Sequence, residues 1–316
     1  MNPPIVSQHH FSCFEAFTDA LAGYDVDIKQ IDCGPFTSFM QQIQCGAVFI
    51  NRFTVTRRIE VNGNPPPGLR TFGVPTVNCQ PFIWRGQHSD ANTIQIYKPS
   101  TELAMITNPE FEAIDVSISE EDLNALFSQS GFPDLDDIIG AREMATCDPV
   151  LMYRLREALQ HICQVVESEP EALNQNTGLQ NLVRYEIPEL LAQALMSSDA
   201  PLSKEAPRKR NHALKTAIEH LRATDEIISV NRLCWQTGIN ERTLQRAFLD
   251  AYGVTPKSYI QAFLLNNAYK ALLKSNPGST SITEVANNLG FWHMSQFAAD
   301  YRRRFAELPS ETLRKN

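Results

Sequence analysis

The sequence that decides the fold occurs twice. Residues 230–256 read VNRLCWQTGINERTLQRAFLDAYGVTP, and residues 282–309 read ITEVANNLGFWHMSQFAADYRRRFAELP. Each copy runs through an apolar pair, a glycine, an apolar residue and an amphipathic segment that closes on an aromatic residue and a proline. Val230, Leu233 and Cys234 match Ile282, Val285 and Ala286. Gly238-Ile239 matches Gly290-Phe291, and Leu244, Phe248 and Tyr252 match Phe297, Tyr301 and Phe305, with one extra residue in the second turn. This spacing predicts, twice over, a short helix, a sharp turn and a second helix. Glycine stands at the turn because it enters positive φ without steric cost.

Local signals agree with that pattern. Asn240 is a good N-cap for the second helix of unit one. Ser281 and Glu284 form a capping box ahead of the first helix of unit two. Leu244, Phe248 and Tyr252 fall on one face of their helix, and Arg242, Gln245 and Arg246 fall off it. Arginine pairs in forked geometry with guanine and glutamine with adenine, so this exposed face has the chemistry of base reading in a major groove. Between the units, Thr255 caps and Pro256 suits a first helical position. Lys257 to Ser275 can then run as one helix until Pro277-Gly278. About 19 residues at 1.5 Å each span about 28 Å. That length can seat two reading helices about one DNA turn, ~34 Å, apart.

With these motifs in place, residues from about 205 to 316 are similar to the AraC/XylS family of bacterial transcription regulators. Both units, the connecting helix and their order agree. Residues 290–313, GFWHMSQFAADYRRRFAELPSETL, most closely resemble the ethanolamine-utilisation-regulator branch. The resemblance implies an all-α DNA-binding domain with helix-turn-helix units at 230–251 and 282–305, joined to a cupin-like sensory barrel whose helices often serve dimerisation. It further implies double-stranded DNA, RNA polymerase, a small-molecule effector and a second copy of the chain as partners. A transcription activator in the bacterial cytoplasm, at the nucleoid, with ethanolamine-related control, is the matching expectation. No cofactor is expected.

The residues expected to touch DNA are Asn240, Arg242, Thr243, Gln245, Arg246 and Lys257 in and beside unit one. In unit two they are His293, Met294, Ser295, Gln296, Arg302 and Arg303. Unit two departs from the family pattern. The Arg found two positions after the core aromatic is Ala299 here, and the Gln two positions before it is Ser295. Unit two is therefore expected to supply phosphate contacts and shape fit more than base reading. Arg302, Arg303 and Arg304 fan out around a helix, so two meet phosphate and one is solvated. Ala306 stands where unit one has Gly253, so no left-handed turn is expected at that helix end. Trp235 is expected to be half-exposed, and Trp292 to pack within its turn in preference to stacking on a base.

Charge divides the chain. Residues 205–316 hold 16 Lys and Arg against 10 Asp and Glu, whereas the remainder holds 12 against 26. A basic half joined to an acidic half favours a DNA-facing domain attached to a partner domain. The 316 residues suggest two domains. Seven cysteines at irregular spacing give no disulfide framework and suit a reducing cytoplasm. No run approaches the roughly 18 apolar residues of a membrane span, and no signal peptide is expected.

The expected class is α+β. Residues 1–196 form a sensory and dimerisation domain with a β-rich barrel at 28–118 and helices at 119–196. A linker at 197–207 leads into the DNA-binding domain at 208–316. Within 1–27, Phe11 to Leu21 is a helical candidate. Short runs from Ile28 to Ile118, separated by Gly, Pro and Asn, read as strands, and NGNPPPG at 62–68 as a loop. Ser119 opens a helix. Residues 133–147 read as an acidic loop, Asp148-Pro149 starts a long helix to about Ser168, and Leu179 to Met196 is helical with a kink at Pro188.

Enzymatic arrangements are missing. His9 and His10 precede the strands, His88 stands alone and His161 lies on a helix, so no metal-binding pair with a carboxylate forms. No nucleophile elbow or phosphate loop occurs. The cysteines read as small core residues. An enzyme fused to a DNA-binding domain is thus disfavoured. A regulator whose N-terminal domain binds a protein partner, or only dimerises, is the alternative to ligand sensing.

Overall fold

The computed structural model describes residues 3–21, 23–98, 102–198, 209–223 and 229–315. Among the described residues the N-terminal part holds twelve strands: β1 (Ile5–Phe11), β2 (Asp25–Gln30), β3 (Ser38–Cys45), β4 (Val48–Val55), β5 (Ile59–Asn64), β6 (Leu69–Pro75), β7 (Phe82–Trp84), β8 (Gln87–Ser89), β9 (Thr93–Tyr97), β10 (Leu103–Ile106), β11 (Phe111–Ser119) and β12 (Met144–Thr146). They form a seven-stranded sheet, ordered β1-β3-β4-β11-β6-β9-β12, and a five-stranded sheet, ordered β2-β5-β10-β7-β8. The two sheets share one core, in which Phe53 and Phe111 from the first meet Ile28, Val61 and Trp84 from the second. The β-rich domain is therefore a pair of facing sheets, an open form of the expected barrel.

Alternation along β11 explains its place at the centre. Phe111 and Ala113 turn between the sheets, while Ile114, Val116 and Ile118 turn outward. The outward residues meet the helices α2 (Glu120–Gln129), α4 (Pro149–Ser168) and α7 (Ile187–Met196), following α1 (Phe14–Asp19) in the chain. The short helices α3 (Leu135–Ile139), α5 (Ala172–Gln175) and α6 (Thr177–Asn181) lie between them in sequence. Ser119 caps α2 by accepting from Asp122 N–H, and Asp148 caps α4 by accepting from Val150 and Leu151.

Several expectations are corrected in this part, among them the loop at 62–68, since Asn62, Gly63 and Asn64 belong to β5. The sheets reach beyond 28–118, since β1, the start of β2 and β12 also belong to them. β1 is an edge strand, partly wet on both faces, so its sequence lacks the alternation that marks a half-buried strand. His9 and His10 consequently lie within β1 rather than before the strands. The helical candidate at Phe11 to Leu21 shortens to α1 because Phe11 pairs with Ser38. The stretch 133–147 is not all loop, for it contains α3 and β12. At Pro188 the helix does not simply kink: a π-helical turn, Leu182–Glu186, precedes α7 and absorbs the missing N–H. Residues 199–207 of the expected linker lie outside the described residues.

The C-terminal part is helical: α8 (Lys209–Ala223), α9 (Val230–Thr237), α10 (Glu241–Tyr252), α11 (Pro256–Leu273), α12 (Ile282–Asn288), α13 (Met294–Phe305) and α14 (Pro309–Leu313). It docks on the five-stranded sheet. β2 is an edge strand there, and an edge exposes unpaired backbone groups. Asn266 on α11 covers that edge. Its amide accepts from Gln30 N–H and donates to Gln30 C=O, both at 2.9 Å. On β5, Glu60 takes hydrogen bonds from Tyr252 (2.8 Å), Tyr259 (2.7 Å) and Arg222 (2.9 Å), so one buried carboxylate joins α10, α11 and α8. Asp27 pairs with both Lys29 and Lys270. Apolar packing continues across the junction, with the Phe14 ring 5.0 Å from Tyr269 and 6.0 Å from Phe305.

Candidate nucleic-acid interface

Unit one is built by its caps. Ser229 accepts from Arg232 N–H at 3.2 Å to start α9, which ends at Gly238 with φ 69°. Asn240 accepts from Thr243 N–H at 2.9 Å and starts α10. Leu244, Ala247, Phe248 and Tyr252 are buried behind α10, at the three- and four-residue spacing of one helical face. Arg242, Gln245 and Arg246 are exposed on the other side, and Lys257 is exposed at the start of α11. Thr243 is half-buried, and the Asn240 side-chain oxygen is committed to its cap. α10 is held from behind by the Tyr252–Glu60 hydrogen bond, with the Arg242 and Arg246 side chains exposed on its outer face.

Unit two repeats the geometry with other chemistry. Ser281 accepts from Glu284 N–H at 3.4 Å, and Gly290 makes the turn with φ 82°. Phe291 N–H returns to Ala286 C=O at 2.9 Å, and its ring lies 5.0 Å from Phe297. α13 buries Phe297, Tyr301 and Phe305. His293, Ser295, Gln296 and Arg302 are exposed, and Met294 is half-buried. Ala298 and Ala299 occupy the positions of Gln245 and Arg246. Arg303 is exposed but donates to Asp300 at 2.6 Å.

Three expectations for unit two change. Arg304 is not solvated: it is buried, donating to the carbonyls of Gln30 and Ile31 in the N-terminal part. Burial lowers the affinity of its guanidinium for a proton. It points away from the face that carries Arg302 and serves docking. Ala306 does adopt the left-handed conformation, with φ 62°, because the helix must reverse there whatever residue is present. Trp292 does not pack in the turn, for it is 68% exposed, and Trp235 is 82% exposed rather than half-covered. A helical-period reading could not place Trp292, since it belongs to neither helix. Its one sequence clue is the neighbouring Phe291, which occupies the inward position matched by Ile239.

Among the described residues, no group of three or more His, Cys, Asp and Glu side chains is placed to hold a metal ion. No helix among them is long and apolar enough to cross a membrane.

Comparison with known proteins agrees on this region. A family model described as a helix-turn-helix domain matches residues 233–315. The chain is 32% identical over 102 residues to the probable thc operon regulatory protein of Rhodococcus erythropolis, covering 32% of this chain and 31% of that protein. It is 40% identical over 88 residues to the XylDLEGF operon transcriptional activator 3 of Pseudomonas putida, covering 28% of this chain and 27% of the activator. A solved structure of a probable AraC family transcriptional regulator from Rhodopseudomonas palustris is 32% identical, covers 33% of this chain and 96% of its own, and gives a TM-score of 0.30. The matches thus span about a third of the length of these curated relatives.

Proposed function

We propose that the chain is, through its C-terminal domain, a member of the AraC/XylS family of transcription regulators and acts as a sequence-specific DNA-binding regulator. The observation that carries the proposal is the exposed face of α10, where Arg242, Gln245 and Arg246 stand free while the apolar face and Tyr252 are anchored. Arg242 and Arg246 are assigned to base edges or phosphate, Gln245 to base edges, and Lys257, Arg302 and Arg303 to phosphate. Asn240 and Thr243 act through the helix N-terminus, and His293, Met294, Ser295 and Gln296 lie at the corresponding end of α13. Binding measured across a salt series tests the function. Release of counterions should make log affinity fall linearly with log salt, and a flat response would reject DNA binding.

Activation is the mode that the relatives' names favour, and RNA polymerase is the partner we assign to it. We assign the N-terminal domain to sensing a small effector, with no catalytic role and with a cytoplasmic site of action. A screen by thermal shift tests this. An ethanolamine-related metabolite, the class implied by the sequence resemblance, is the first candidate. If no effector binds and regulation survives loss of the domain, sensing is wrong.

A second role for that domain has its own support. Val150 and Tyr153 on α4, Tyr185 before α7 and Met196 at its end are exposed, and a groove beside them is lined by Tyr153, Leu190 and Gln193 together with the charged Arg154, Glu157, Glu186 and Glu189. Exposed apolar residues on neighbouring helices suit contact with a second copy of the chain. Light scattering on Tyr153→Asp separates this reading from sensing, because dimer loss would leave effector binding intact.

A further inference from the structure

We propose that Trp292, supported by Met294, reads thymine in the half of the DNA site beneath unit two, by laying its indole against the C5 methyl group in the major groove. This rests on the DNA-binding function proposed above and names how the second unit discriminates bases.

The exposure of Trp292 has a fixed local cause. Gly290 turns the chain, the Phe291 N–H is bonded to Ala286, and the Phe291 ring is packed against Phe297. With Phe291 committed inward, the next side chain faces out, and Trp292 is 68% exposed. It stands two residues ahead of the first residue of α13, the end of a reading helix that enters the groove. An indole left in water retains a large unburied apolar area, so contact with an apolar surface is favoured.

The chemistry around it narrows the partner. Where unit one presents Arg242, Gln245 and Arg246, unit two presents Ser295, Ala298 and Ala299, none of which carries a forked donor. The largest exposed side chain at the reading end of α13 is therefore an apolar ring, with half-buried Met294 beside it in sequence. Base edges in the major groove offer hydrogen-bonding groups and one apolar group, the thymine methyl. Trp235 does not extend the argument, because it lies on α9, the first helix of its unit.

The test uses the full chain to select duplexes from a random library. The half of the site whose base preference survives Arg246→Ala is assigned to unit two. Each thymine in that half is then replaced by uracil, which lacks only the methyl. One or two replacements should weaken wild-type binding about fourfold each, as expected for one buried methyl. Trp292→Ala should bind the thymine duplex about tenfold more weakly and lose the uracil penalty. Circular dichroism checks its fold, and Trp292→Gln repeats the measurement should the alanine variant misfold. Unchanged affinity in the variant, or an unchanged uracil penalty, overturns the proposal. Failure of the wild-type chain to select any duplex would instead bring down the DNA-binding function beneath it.

Discussion

At the scale of single residues, the helix end at Ala306 departs from what its sequence advertises. A left-handed backbone costs an L-residue about 1–2 kcal/mol, and glycine escapes most of that penalty. Ala306→Gly is therefore expected to stabilise the chain by about 1 kcal/mol, read as a higher denaturant midpoint with an unchanged slope. The reverse change at the equivalent position should be worse than a simple reversal. A Cβ on Gly253 would sit 2.5 Å from an Arg58 guanidinium nitrogen, adding a clash to the strained φ of 64°. Asp115 offers a second test. It lies buried between the sheets, with only the Tyr24 and Tyr97 hydroxyls against it, each at 3.4 Å. Burial pushes its carboxyl up to about 7, although those hydroxyl hydrogen bonds pull the other way. In the unfolded chain the same group titrates near 3.9. Between roughly pH 4 and 7 the folded chain thus keeps a proton that the unfolded chain has released. Stability from this group falls as pH rises through that window and is flat above it. Asp115→Asn should accordingly lose less stability than the wild type between those pH values in paired denaturation series.

At the scale of elements, α11 explains what sequence could and could not disclose. Its capping residues, Thr255 and Pro256, and the turn residues Gly238 and Gly290 act on neighbours a few positions away, so both helix-turn-helix units were legible from local pattern. Its sides were not. Tyr259, Leu265, Asn266 and Tyr269 are buried on several faces because the helix lies between the sheet and the reading units. No amphipathic stripe could announce that arrangement. The partner of Asn266 is Gln30, 236 positions earlier, and no spacing rule reaches so far. The same distance hid the burial of Arg304, which in sequence is the last of three similar arginines. β1 escaped for a different reason: an edge strand needs no alternation. Asn266→Leu keeps the volume but removes both hydrogen bonds, leaving the Gln30 N–H unpaired in a buried site and its C=O with the Arg304 guanidinium alone. The expected cost is about 3 kcal/mol, measured by urea denaturation; a cost under about 0.5 kcal/mol would mean that water replaces the amide.

At the scale of the whole molecule, an acidic sheet domain and a basic reading domain meet through a few charged groups. Glu60 is the centre of that junction, with a side chain only 3% exposed and partners on three helices. Removing it leaves two tyrosine hydroxyls and Arg222 without their acceptor. Calorimetry should therefore show one transition for the wild type and, for Glu60→Ala, the DNA-binding domain melting below the β-rich domain. A single transition in the variant would place the coupling in the apolar contacts instead. The location of this junction also bears on how such a protein could be recombined. Tyr252, Tyr259, Asn266, Lys270 and Arg304 belong to the segment 233–315 that matches a helix-turn-helix domain, but Glu60, Gln30 and Asp27, which receive them, do not. The helix-turn-helix segment can be inherited as a cassette, while the seat that holds it lies outside the matched residues. A chimera that carried residues 233–315 alone into another protein would leave behind the acceptors that tell the sheet where the helices are.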